Sequence, residues 1–512
     1  MQITTKFLAS IHRGRSKLCK LRNIAANEDF RKKTIVANSD GNPLKIAVAL
    51  SGGVDSMVLL DLLHRYNQQQ QQQQQRQKVK PIDGTSTSID IHAITIDHRI
   101  RPESTREAQL IHETLKNRYG ANITHHIMPI LNEIKMSRLE QEARNFRYEL
   151  LYQKSIELNA NIMMMGHHLD DQIETLLLRL KSGTSIFGAC VMNEITRFPI
   201  IDNLYREKLK QVYVFRPLLQ TDKLSIYDYA RENNLVWFQD ESNFEEITLR
   251  NKYRKLLSGN AINKSQLIDH LQSLDEFQES VESSLESLRK EISVDFDTKL
   301  LKMSLKIPNQ VFQNFNSIII DRFLYESVSR VSPIGTYHHR FTSFDSKYAT
   351  INENRDGKSL SEEIFTRNIR HKFTLVNCEF DAIYGDEYVT LNVKRCRLQA
   401  NANDPKITID LSNEDWSDWV LFDNRIKIRL KGQHLGRVNI ELFDTKKLQR
   451  EQVRLDKSFR EQILSKESGI DSISQLNGVP MVVTDGKVVG IPTAMLYANN
   501  TTLQCEIALK CT

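Results

Sequence analysis

The chain has no cysteine pair at Cys-x-x-Cys spacing. Its six cysteines, Cys19, Cys190, Cys378, Cys396, Cys505 and Cys511, are scattered over 512 residues. That scatter argues against a cysteine zinc site and against a disulfide scaffold. No apolar run approaches the length needed to cross a bilayer, so the sequence predicts no transmembrane segment and no membrane partner. A Walker-type phosphate loop, Gly-x-x-x-x-Gly-Lys-Ser/Thr, is also missing. The only Gly-Lys-Ser, Gly357 to Ser359, has Asn352 where the first glycine belongs and no apolar strand before it.

Acids are missing from residues 1–27, which hold Lys6, Arg13, Arg15, Lys17, Lys20 and Arg22. A basic, acid-free, mildly amphipathic start has the composition of an organellar transit peptide. Residues 1–40 are therefore expected to be a disordered address, and the chain to be mitochondrial, in the matrix. The alternative is a basic tail on a cytoplasmic protein. A second basic window, residues 425–460, holds eleven Lys and Arg against Glu441, Asp444, Glu451 and Asp456. With a formal charge of only +6 overall, the rest of the chain is net acidic. That window is an electrostatic footprint suited to a phosphate backbone.

What is present is 40% hydrophobic and 26% charged residues, the balance of a globular chain. From Pro43 onward apolar runs alternate with helical stripes. Strands are expected at Lys45–Leu50, Ile89–Ile96, Ile123–Met128, Asn161–Met165 and Val212–Phe215, and helices at Ser56–His64, Ser104–Arg118, Leu139–Leu158 and Asp170–Lys181. The alternation predicts an α/β domain over residues 41–255, with a parallel sheet covered on both faces and a ligand site at the carboxyl ends of its strands. Residues 67–88, a glutamine tract followed by a polar stretch, are expected to be a disordered insertion. Residues 256–330 read as helical and 331–410 have no clear pattern. Residues 411–512 return to short strands, which suggests a small C-terminal α+β domain. There "RIKIRLK" would place Arg425, Lys427, Arg429 and Lys431 on one face of a strand as an RNA contact.

The stretch "ALSGGVDSMVLL", Ala49 to Leu60, breaks an apolar strand into Ser-Gly-Gly and re-enters an apolar helix. Two glycines let an anion approach the backbone, and the helix that follows points unpaired N–H groups at the same place. Downstream, "GHHLDDQIETLLLRL" carries Asp171 and Glu174 three apart and Asp170 and Glu174 four apart, a spacing that can put carboxylates on one helix face. Ile173, Leu176, Leu177 and Leu180 have core spacing on the opposite face. His167 and His168 lack a third ligand at any familiar zinc spacing.

Ser51-Gly52-Gly53-Val54-Asp55-Ser56 resembles the pyrophosphate loop of the N-type ATP pyrophosphatases. With "IDHRIRPESTREA", "LEQEARNFRYELL", "GHHLDDQIETLLLRLKSGTSIFGACVM" and "RPLLQTDKLSIYDYARENNLVWFQDESNFEEITLRNKYR" in order, about 200 residues resemble the tRNA(Ile)-lysidine synthetase family. "VPMVVTDGKVVGIP" resembles the end of its longer members, which carry a further tRNA-contacting domain. The resemblance implies a Rossmann-like PP-loop domain and ATP with Mg²⁺. The reaction it implies is adenylation of the wobble cytidine of a CAU-anticodon tRNA(Ile), followed by attack of free L-lysine at C2. It places ATP on Ser51, Gly52, Gly53, Val54, Asp55, Ser56, Asp97, His98 and His167, with the metal on Asp55. Catalysis falls to Asp55, Asp171 and Glu174, and lysine to Arg144, Asp171 and Glu174. Read from charge alone, Arg250 and Arg254 of "RNKYR" are a second candidate tRNA contact beside the "RIKIRLK" cations. A homodimer is left open. The competing readings are tRNA thiolases, amidating synthetases and argininosuccinate-type ligases, which use the same loop, and a non-catalytic RNA-binding scaffold.

Overall fold

Runs such as Lys45–Leu50 are apolar at nearly every position, which suits strands covered on both faces. The computed structural model describes residues 2–21, 44–77, 89–99, 103–131, 139–184, 186–206, 210–238, 249–258, 263–333, 360–366, 372–396, 405–412, 415–433, 435–450, 453–499 and 501–510. It divides into two units, Met1–Asp275 and Glu276–Thr512.

The first unit is built on a six-stranded sheet. Its strands are β1 (Leu44–Ala49), β2 (Ile89–Asp97), β3 (Ile123–Pro129), β4 (Ile162–Met164), β5 (Ile195–Arg197) and β6 (Tyr213–Phe215), in the order β3-β2-β1-β4-β6-β5. Neighbours β3, β2, β1, β4 and β6 run parallel, and β5 closes the edge antiparallel to β6. All five expected strands are present, with ends within two residues. The chain leaves β1 towards β2 on one side and later returns to β4 on the other. The gap between the carboxyl ends of β1 and β4 is therefore the switch point where such sheets bind ligands.

Helices α1 (Gln2–Leu21), α2 (Val54–Gln77), α3 (Glu103–Tyr119), α4 (Leu139–Glu157), α5 (Leu169–Lys181), α6 (Lys223–Glu232), α7 (Leu249–Ser258) and α8 (Lys264–Glu291) complete the set used below. Two of them correct expectations of disorder. Within the segment read as a disordered address, residues 2–21 form α1, which buries Ile3, Phe7, Ile11 and Leu18 in the same core as β1 and α2. Gly14 permits this docking, since a Cβ there would stand 2.7 Å from the ring of Phe215. Arg13 pairs with Glu194 at 3.0 Å. Composition revealed the charge of this helix, but burial of its other face depends on residues about 200 positions away.

The second correction concerns the glutamine tract. Residues 67–77 continue α2 without a break, consistent with the good helix propensity of glutamine. Asn67 fixes the emerging helix by exchanging two hydrogen bonds of 2.9 Å with the backbone of Ile89, the first residue of β2.

The second unit corrects the expectation of a helical 256–330. After α8 the chain forms β7 (Ser293–Asp297) and β8 (Lys302–Pro308); the alternating burial of β8 is a strand pattern that the long preceding helical stripe obscured, while β7 is largely exposed and shows none. They join β9 (Lys372–Leu375), β10 (Cys378–Tyr384) and β11 (Tyr388–Arg395), which lie in the stretch without a clear pattern, as one antiparallel sheet ordered β7-β8-β11-β10-β9. Two smaller sheets follow. One, ordered β12-β15-β16-β17-β18, comprises β12 (Lys406–Asp410), β15 (Arg437–Leu442), β16 (Pro480–Thr484), β17 (Lys487–Ile491) and β18 (Leu496–Tyr497), with β16 and β17 joined by a tight Asp485-Gly486 turn with positive φ at both residues. The other contains β13 (Val420–Phe422), β14 (Ile426–Lys431) and β19 (Gln504–Leu509).

Phe7 is 1% exposed, so the substitution Phe7→Ala is expected to cost the full chain about 3–5 kcal/mol of stability, as aromatic truncations in packed cores do. Urea unfolding followed by circular dichroism measures this. An unchanged midpoint would mean that α1 is not docked.

Candidate functional site

Strand β1 delivers the chain into the loop Ser51–Gly53, and two constraints shape that loop. Gly52 has φ +82°, and a Cβ on it would stand 2.5 Å from Ile111 Cδ1. The positive φ is what calls for glycine, since the Ile111 methyl is the end of a flexible side chain. The Gly52 carbonyl accepts from the Phe238 N–H at 3.0 Å. The hydroxyls of Ser51 and Ser56 lie 3.2 Å apart, and Ser56 donates to the Gly53 carbonyl at 2.9 Å. Two hydroxyls thus flank the start of α2, whose first N–H groups have no partner within the helix. The loop read from the sequence thus lies at the switch point, with its two hydroxyls and the helix N–H groups together.

Gly166, at the exit of β4, locks a second motif to this one. A Cβ there would meet the carbonyl carbon of Asp55 at 3.0 Å and the nitrogen of Ser56 at 3.1 Å. Backbone-to-backbone approach at that distance brings "GHHLDD" against the loop. His168 then lies between the two acids, with Nε2 3.6 Å from Asp55 Oδ1 and 3.5 Å from Asp171 Oδ2. The backbone N–H of His168 donates to Asp171 at 3.1 Å, capping α5. The sequence reading had favoured His167, which lies half-buried beside it.

Each acid of the site holds a cation. Asp55 receives Lys223 Nζ on both oxygens, at 2.6 and 2.7 Å. Asp170 receives Lys264 at 2.9 Å. Glu174 accepts from Arg254 Nε at 2.7 Å, and another nitrogen of the same guanidinium lies 3.8 Å from Asp171. Asp171 and Glu174 therefore do share a face, while Asp170 turns to a partner on α8. On the apolar face Ile173 and Leu176 are buried as expected, but Leu180 is exposed.

Lys223 is a functional candidate that the sequence reading missed. It occupies the first position of α6, just after the cap Asp222. The helix dipole disfavours a cation there, so the position itself was a usable signal. Arg216, at the end of β6, is a second. It is 8% exposed and donates to the Asn193 carbonyl and to Thr196 at 2.9 and 3.1 Å. Burial lowers its pKa, against the opposing influence of Tyr148.

Other expected residues are placed differently. Asp97 is buried and serves as a cap, accepting from the Ser104 and Thr105 hydroxyls at 2.8 and 2.7 Å and from the Arg99 N–H at 3.1 Å. Burial pushes its pKa up, but those hydroxyls and Arg99 outweigh it and hold the carboxyl below its ordinary value. This is the plain role of a loop cap. His98 follows it, half-buried. Arg144 is exposed on α4, with its guanidinium 5.1 Å above the Tyr148 ring and a 3.4 Å hydrogen bond to its hydroxyl. Arg254, expected on RNA, is instead turned to Glu174 and Asp171. Arg250 shares α7, but its side chain lies outside the described residues.

In the second unit the expected row of four cations becomes three. Lys427, Arg429 and Lys431 alternate with buried Ile426, Ile428 and Leu430 along β14. Arg425 precedes the strand, is 2% exposed, and pairs with Asp423 at 2.7 Å while donating to the Gly478 carbonyl. A guanidinium committed inside the fold is not available to a phosphate. Arg429 bonds Glu506 at 2.7 Å, and its guanidinium lies over the rings of Trp416 and Trp419, at 4.9 and 5.0 Å.

Residues 26–260 match a family model described as the PP-loop domain. The chain is 33% identical over 216 residues to a tRNA(Ile)-lysidine synthase of Wolbachia pipientis wMel, covering 42% of this chain and 43% of that protein. It is 29% identical over 217 residues to one of Rickettsia rickettsii (strain Sheila Smith), covering 42% and 39%. The chain thus spans less than half the length of these curated relatives. A solved U34-tRNA thiolase from Methanococcus maripaludis, with its [4Fe-4S] cluster, overlaps 53% of this chain and 80% of its own at 16% identity. Its TM-score of 0.35 is too low to bear on function.

The contact between Gly166 and Asp55 yields a direct expectation. Gly166→Ala forces backbone to move on one side or the other, at a cost of about 1–3 kcal/mol typical of overpacking. Denaturant unfolding measures it, and an unaltered stability would refute the close approach.

Proposed function

We propose that this chain, whose N-terminal half carries a PP-loop domain homologous to tRNA(Ile)-lysidine synthases, is itself an ATP-dependent ligase. It would join L-lysine to C2 of the wobble cytidine of a tRNA(Ile) with a CAU anticodon. The observation that carries this reading is a juxtaposition at the ends of β1 and β4. There a loop of backbone and hydroxyl donors adjoins two buried carboxylates, Asp171 and Glu174, that already hold a cationic side chain.

On this reading Ser51–Ser56 receive the polyphosphate of ATP, with N–H groups and hydroxyls placed to stabilise charge on the departing pyrophosphate. Lys223 lies beside Asp55 and adds a cation at the same place. Mg²⁺ commonly needs only one or two carboxylates, its other ligands being phosphates and water. Half-buried Asp55, at the loop's edge, would supply one such carboxylate once Lys223, which holds both of its oxygens, gives way to the metal. The metal, when bound, would neutralise phosphate charge. Asp171 and Glu174 would seat the lysine ammonium group, and His168, between Asp55 and Asp171, is placed to accept the proton lost by the attacking amine.

Substrate RNA would also meet the second unit, where Lys427, Arg429 and Lys431 present cations beside two tryptophans. A mitochondrial location is supported by the acid-free basic start. Because α1 packs into the core, that location carries the condition that the helix is retained after import. Intact-mass measurement of the chain recovered from mitochondria tests both parts. A product lacking residues 2–21 would contradict retention, and absence from the organelle would contradict the location.

The deciding assay incubates the full chain with a CAU-anticodon tRNA(Ile) transcript, ATP, Mg²⁺ and isotopically labelled lysine, and reads the nucleosides by mass spectrometry. Labelled lysidine is expected, with yield reduced at least about 100-fold without ATP or in Asp55→Ala, the scale on which lost charge-stabilising groups act. ATP cleavage to AMP and pyrophosphate without that product would point to another nucleophile or RNA.

A further inference from the structure

Glu174 and Asp171 are withdrawn from water, their side chains 3% and 13% exposed, while the Arg254 side chain covering them is 39% exposed. Two nearby carboxylates in that setting cannot both stay ionised cheaply without a cation, because the desolvation cost is several kcal/mol per ion. Arg254 meets that need from the solvent side. It projects from α7, a helix of 10 residues whose Leu257 packs against the cluster of Ile173 and Leu176.

We propose that Arg254 is the resident occupant of the seat taken by the ammonium group of the amino-acid substrate, and that substrate binds by exchange with it. The inference rests on the lysine-ligating reading above and adds what fills the site in its absence. Guanidinium and ammonium carry the same charge, so the pair of acids faces one cation both before and after the exchange. Leu257 can remain anchored while the long, partly exposed arginine side chain swings outward. Substrate affinity is then the difference between two cations competing for one pair of acids, and Arg254 sets how much lysine is required. It is a specificity-determining residue that acts by occupying the seat, not by touching the reacting atoms.

The test is equilibrium dialysis of labelled lysine against the full chain without ATP, together with the lysine dependence of product formation when ATP, Mg²⁺ and tRNA transcript are supplied. Arg254→Gln keeps hydrogen-bonding capacity but removes the competing charge, and should lower the lysine Kd and KM at least about tenfold. Arg254→Lys retains a cation and should restore values near wild type. A purely structural arginine would lower stability and kcat in Arg254→Gln without tightening lysine. An unchanged or weakened Kd in that variant therefore overturns the proposal.

Should Arg254→Gln fail to fold, hydrogen exchange in the wild-type chain decides instead. Lysine should accelerate exchange of the Arg254 Nε–H, read by NMR, as its hydrogen bond to Glu174 is released, and no change there overturns the inference. If the wild-type chain binds no lysine at millimolar concentration, the ligase reading falls and the proposal falls with it. Binding without exchange removes this proposal alone.

Discussion

A carboxylate taken out of water has to be met by a cation, and the site at the ends of β1 and β4 is organised around that requirement. Asp55, Asp170 and Glu174 each hold a basic side chain, from Lys223, Lys264 and Arg254 respectively. The three donors lie on α6, α8 and α7, so the pairing joins these later helices to the N-terminal turns of α2 and α5. Removing one partner would leave a buried charge uncompensated, a larger penalty than the pair's net contribution to stability. The same arrangement readies the site for charged substrates, because seats built for cations already exist.

Geometry makes the acids converge. Parallel strands order the sheet so that β1 and β4 are neighbours although more than a hundred residues apart in sequence. Gly166 then allows β4's exit to touch the backbone of Asp55. Helix α1 is part of this scaffold, since its apolar stripe packs in the core beneath β1, α2 and α6. A segment whose composition suggests an address thus has a second role that composition cannot express.

The second unit shows how a charge pattern separates into working and structural parts. Within "RIKIRLK", the alternation along β14 leaves Lys427, Arg429 and Lys431 on the polar face. Arg425, one residue before the strand, turns inward to Asp423. Strand periodicity treated all four alike, because it has no knowledge of where a strand begins. Arg429 is also held by Glu506 and two tryptophan rings, so the charge it presents is less than its side chain implies.

The sequence by itself determined the loop, the parallel order of α/β elements and the Asp171–Glu174 pair, because these depend on local periodicity and on a turn whose positive φ at Gly52 is a local requirement. It did not reveal the buried stripe of α1, the helix through the glutamine tract, or strands β7 and β8, each fixed by contacts with distant residues. Most of all it left open which cation meets which acid. Lys223 and Arg254 lie 168 and 80 residues from Asp55 and Glu174, and only folding brings such charges within hydrogen-bonding distance. Pairing is decided in three dimensions because the electrostatic cost of burial is shared among whichever groups the sheet and helices bring together.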